Sequence, residues 1–93
     1  DWEGAKDLWL SLYKRRKSGK VKARAALNLA LASEMLGDMD GAKKWLEEAG
    51  KQVEPGSEEE MVYKYASLKL EERLAGFSHL LIQMRRFGNN LSE

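Results

Sequence analysis

The segment Asp1-Trp2-Glu3-Gly4-Ala5-Lys6 returns as Asp38-Met39-Asp40-Gly41-Ala42-Lys43, 37 residues further along the chain. An Asp, an acidic residue and the run Gly-Ala-Lys recur in register, and a tryptophan follows each copy (Trp9 and Trp45). Self-similarity at a period of about 20–50 residues marks stacked units, each too small to bury its apolar face alone. The first copy opens the chain partway through a unit, and no third copy follows. The expectation is a single domain over residues 1–93 that forms the C-terminal piece of a longer protein. It holds half a unit, one full unit and an element that ends the stack.

The apolar positions between the echoes follow a helical period. Trp2, Ala5, Leu8, Trp9, Leu12 and Tyr13 fall on one stripe, and Lys14 to Lys17 gather where the macrodipole favours positive charge. This predicts a helix over residues 1–17, broken at Ser18-Gly19. The next helix, 21–36, is apolar on nearly every side, so it requires neighbours on more than one face. Its five alanines permit close approach of those neighbours. Gly37-Asp38 closes it and caps the next helix, 39–53, whose face carries Met39, Ala42, Trp45, Leu46, Ala49 and Val53. Glu54-Pro55-Gly56 ends that helix, and Ser57 followed by three glutamates gives a capping-box start. Val62, Ala66, Leu70, Leu74, Phe77, Leu81 and Met84 keep one phase straight across Gly76. They predict one long helix, 57–87, about 46 Å in length. The alternative is a hairpin turning at Ala75-Gly76-Phe77. The fold class expected is all-α.

Composition narrows the function classes. The apolar share of 43% is enough for one modest core, while the longest unbroken apolar run is four residues, Leu29 to Ala32. No membrane span is expected. The chain has no cysteine and one histidine, His79, and no set of residues has metal-ligand spacing. Glu71 and Glu72 are adjacent on a helix and point apart, so they make no facing carboxylate pair. No catalytic residue, cofactor site or metal site is expected, and the chain is read as a non-enzyme. A net charge of +1 gives no general reason to expect a nucleic-acid partner.

Residues 23–55 resemble a tetratricopeptide repeat (TPR), a helix–turn–helix unit of about 34 residues. Ala30 matches the small residue at the helix crossing, and Gly37-Asp38 matches the turn. Ala42 and Ala49 match the small positions of the second helix, Leu46 its large packing position, and Pro55 the closing proline, displaced by one. Residues 1–13 then resemble the second helix of a preceding repeat. The family's aromatic early in the first helix is replaced here by Ala26 or Leu27, and its central tyrosine by Ser33 or Glu34. The resemblance implies a TPR-like antiparallel helix array closed by a long C-terminal capping helix. It also implies a function in protein–protein interaction or scaffolding. Trp2, Leu8-Trp9, Tyr13 and residues 23–30 are further similar to C-terminal TPR segments of uncharacterised lipoproteins from gut Bacteroidetes. That likeness implies a place on the periplasmic side of a bacterial cell envelope.

In such arrays the first helix of each repeat lines a groove, which puts Arg24, Leu27, Asn28, Leu31, Glu34 and Met35 forward as partner-binding residues. The plainer expectation is that Leu27, Leu31 and Met35 pack beneath the last helix. A rival site is the basic segment 14–24, in which seven of eleven residues are Lys or Arg. That density suits an anion or nucleic acid bound through salt-sensitive contacts, although the segment contains no aromatic residue. Trp9 and Trp45 are expected in the core. Trp2 is expected to be exposed and to support weak self-association through the N-terminal end.

Overall fold

The computed structural model describes residues 1–17 and 19–92, and the described residues form four helices and no strand. These are α1 (Trp2–Arg15), α2 (Lys20–Met35), α3 (Met39–Gln52) and α4 (Glu58–Ser92). The all-α expectation and all four helices are therefore present. None of them, over the described residues, is long and apolar enough to cross a membrane.

The sequence echo proves to be a repeated helix start. Asp1 accepts a hydrogen bond from the Glu3 N–H (3.1 Å), and Asp38 accepts one from the Gly41 N–H (2.9 Å). Each aspartate thus satisfies an amide that the first helical turn leaves without a partner. The glycine in the motif also has a steric cause. A Cβ on Gly41 would overlap the Asp38 carboxylate, coming within 2.7 Å of its Cγ. Gly37 does different work at the end of α2. With φ at +83°, it lets Asp38 N–H reach the Ser33 carbonyl (2.8 Å) while its own N–H reaches Glu34 (3.0 Å). That is a Schellman closure, which turns the chain back within three residues and sets α2 and α3 antiparallel.

α2 is the central element, packed along α1 on one side and α3 on the other, with lighter contact to α4. Ala23, Ala25, Ala26, Leu29, Ala30, Ala32 and Ser33 are all buried on it, which is why its sequence is apolar nearly all round. α3 contributes Ala42, Leu46 and Ala49, and α4 contributes Leu70. The cluster of Ala30, Ala42, Leu46 and Leu70 is flanked by half-buried Leu27, Met39, Trp45, Tyr63, Ala66 and Leu74. Trp9 and Trp45 are half-buried rather than enclosed, and Trp45 meets the Tyr13 ring edge-on at 5.0 Å. No residue of α1 is fully buried, and Leu8, expected on its inner stripe, is 61% exposed. An outermost helix with one broad neighbour can cover only a narrow strip of its surface.

α4 begins as expected. Ser57 Oγ accepts from the Glu60 N–H (3.1 Å), and the Glu60 carboxylate reaches back to the Gly56 N–H (3.1 Å). Two expectations are corrected further along. The helix passes straight through Gly76, as its single apolar phase predicts, but it continues to Ser92, five residues beyond the expected stop at Phe87. Glycine and asparagine lower helix propensity by about 1 kcal/mol or less each, but they do not forbid the hydrogen-bond ladder. The C-terminal stretch also does not cap the core. Among the described side chains Leu74 is the last that the body of the protein half-covers, and every one from Ala75 to Arg86 is exposed. The molecule is accordingly elongated, 58 × 30 × 16 Å. Its radius of gyration of 16.6 Å compares with about 12 Å for a compact chain of this length.

Candidate binding cleft between the second and fourth helices

The antiparallel return of α2 and α3, followed by the short turn at Pro55-Gly56, brings the start of α4 back beside the start of α2. This places the acidic first turn of α4 next to cations of the basic segment. Glu59 is only 6% exposed, and its Oε1 lies 3.3 Å from Arg24 Nε and 3.6 Å from Lys20 Nζ. Burial by itself raises the Glu59 carboxyl, but its own backbone N–H and the charges of Lys20 and Arg24 outweigh that. The group is held below the usual carboxylate range. Oε1 makes ion pairs with both cations and has no hydrogen-bond partner among the described residues.

Next to this carboxylate is an open cleft of about 150 Å³, lined by Arg24, Leu27, Asn28, Glu58, Glu59 and Val62. Three of the six groove residues expected from the sequence, Arg24, Leu27 and Asn28, therefore meet at one place. Leu31 and Met35 lie further along the same face of α2 and do not line the cleft. They are not packed beneath the last helix either, being 42% and 52% exposed. α4 leaves them uncovered because it rests mainly against α3 and touches α2 only lightly. On α4, Val62 and Tyr65 are also exposed (48% and 64%). Further along, Glu34 pairs with Arg73 across the two helices.

Sequence reasoning missed Glu59, Glu58 and Val62 as parts of this site. The acidic run was legible as a helix start, and that role concealed a second one. Glu60 serves the cap, while Glu59, one residue earlier, is turned toward α2. The signal available was the opposite charge of segments 20–24 and 58–60, which a hairpin return brings together.

The basic segment is partly used within the fold. Lys20 and Arg24 face Glu59, and Lys22 Nζ sits 4.4 Å above the Tyr13 ring. Tyr13 in turn donates to Glu48 Oε2 (3.0 Å), whose other oxygen accepts from Lys51 (3.1 Å). Lys14, Arg15, Arg16 and Lys17 remain exposed, and Ser18 lies outside the described residues. His79 is exposed on α4, and the described residues contain no group of three or more His, Cys, Asp or Glu placed to hold a metal ion.

The geometry defines an all-α protein with a shallow, mixed apolar and charged cleft between two non-consecutive helices. Residues 1–72 match the model of the family described as Domain of unknown function (DUF6340), and the chain belongs to that family. No curated protein and no solved structure matches it.

Proposed function

We propose that this chain is a non-catalytic protein-interaction module of tetratricopeptide-repeat type, holding a peptide or helix of another protein along the face shared by α2 and α4. The observation that carries this reading is the uncovered row Leu31 and Met35 on α2, with Val62 and Tyr65 on α4, ending in the cleft at Asn28 and Glu59. An apolar strip gives a partner buried area, and the Asn28 amide at its end offers hydrogen bonds to a peptide backbone. The repeat-type arrangement is supported by the burial of Ala30, Ala42, Leu46 and Ala49, the positions where the resemblance requires small or packing side chains. Scaffolding in a bacterial envelope follows from the lipoprotein likeness alone.

The alternative, an anion- or nucleic-acid-binding module using residues 14–24, has less support. Three of the segment's seven cations, Lys20, Lys22 and Arg24, already have partners inside the fold.

Selection of peptides on the intact chain from a random library tests the proposal. Selected peptides are expected to lose at least tenfold in affinity against Leu31→Glu and Asn28→Ala variants that keep full helix content. Peptides that bind these variants unchanged overturn the groove. Binding that fades steeply with salt and disappears on charge reversal at Arg15 and Arg16 moves the site to the basic segment.

A further inference from the structure

The side of α4 that faces α2 is marked by Val62, which lines the cleft, and by Arg73, which pairs with Glu34. The same helical phase carries on from Arg73 through Phe77, Leu80 and Met84, at steps of three and four residues, and these three are 46–60% exposed. Glu34 is one residue short of the end of α2 at Met35, so α2 stops beside Arg73 and α4 runs on alone. The interaction face therefore has two parts. Between the helices it is a two-walled groove, and past Met35 it is an apolar shelf with α4 as its wall. The charge of α4 changes at the same place. All five of its acids, Glu58, Glu59, Glu60, Glu71 and Glu72, precede Arg73, and residues 73–92 contain three arginines and no acid. Arg73 is taken up by Glu34, whereas Arg85 beside the shelf and Arg86 behind it are exposed.

On the reading that this face binds a segment of another protein, we propose that one segment spans both parts, and that it is an amphipathic helix carrying Asp or Glu where it lies on the shelf. The helical form follows from the shelf's chemistry. α4 spends its own N–H and C=O groups in its hydrogen-bond ladder, so an extended segment laid on apolar side chains would have backbone groups covered and unpaired. The acid follows from Arg85 and Arg86, which no carboxylate on the same stretch of chain offsets. A helix along the whole face, from Val62 to Met84, is about 33 Å long at the usual rise. Other occupants fit less well. The shelf looks toward the side on which α2 lies, so a flat lipid surface laid along it meets the end of α2 first. The arm of a second copy brings more arginine and no acid.

Two synthetic helices with the same leucine face serve as probes, one flanked over half its length by glutamates and the other by glutamines, each titrated against the intact chain at low salt. The glutamate helix is expected to bind about tenfold more tightly, and the double variant Arg85→Glu/Arg86→Glu should reverse the order. Leu80→Glu should weaken the glutamate helix by about tenfold with unchanged helix content, as should Leu31→Glu. Equal binding of the two probes, or an order that the arginine variant leaves in place, overturns the proposal. Loss with Leu31→Glu but not with Leu80→Glu overturns it too, while the α2–α4 groove stands. Binding that neither substitution weakens overturns the groove itself. Self-association of the wild type that Leu80→Glu abolishes gives the shelf to a second copy and likewise overturns the proposal.

Discussion

Ser33 and Asp38 lie five residues apart and illustrate opposite ways of treating a polar group. Ser33 is fully buried on α2, and its hydroxyl finds no partner among the described residues. A hydroxyl taken from water without a replacement hydrogen bond is a net cost, so Ser33→Ala is expected to stabilise the fold by about 1 kcal/mol. Chemical denaturation of the two proteins checks this, and a loss of stability would mean that the hydroxyl is satisfied. Asp38 is the reverse case, a polar group whose partner is fixed by the chain itself. Removing it should cost about 1 kcal/mol, the usual worth of an N-cap. The cost should vanish in a Gly41→Ala background, because the added Cβ displaces the carboxylate from its capping position. Gly41→Ala alone should come out close to neutral, the lost cap being offset by the better helix propensity of alanine. A double-mutant cycle over the two positions reads this coupling directly.

At the scale of elements, the helices and their ends were legible because each rests on local chemistry. Stripe phase, the Asp caps, the Gly37 closure and the Ser57 capping box are all decided within a turn or two of the chain. The mutual positions of helices were less legible, since they depend on contacts that sequence spacing does not encode. Arg24, Leu27 and Asn28 could be placed on one face of α2 from the sequence. That Glu59 of α4 stands opposite them could not, and neither could the failure of α4 to cover Leu31 and Met35. The Glu59 contact ties α4 to α2, and it has a pH signature. A carboxylate whose folded pKa lies below its unfolded value adds stability that is fully present above the unfolded value and is lost as pH falls through the folded one. Glu48, lowered by its hydrogen bonds from Lys51 and Tyr13, acts in the same direction. The melting temperature is therefore expected to fall as the pH drops below the ordinary carboxylate range. Glu59→Gln should lower it near neutral pH and flatten part of the acid decline. An unchanged acid profile in Glu59→Gln would show that the buried carboxylate does not hold the two helices.

For the whole molecule, the echo of residues 1–6 in 38–43 set the order of parts, and the departure from that order lies in α4. A stripe that runs in one phase from Val62 to Met84 looks like one buried seam. Burial, however, requires a neighbour at every turn, and α3 ends its company with α4 at Leu74. The family match likewise ends at residue 72, within the packed part of the helix. These facts make the stability of the core separable from the arm. The body of the protein leaves every described side chain from Ala75 to Arg86 exposed, so the core of a chain ending at Leu74 should unfold with nearly the same free energy. A change of about 1 kcal/mol shifts the midpoint of a domain this size by roughly 4–8 °C, so the expected difference in melting temperature is smaller than that. A large loss of stability would mean instead that the helix beyond Leu74 packs on its own core and that α4 bends at Gly76.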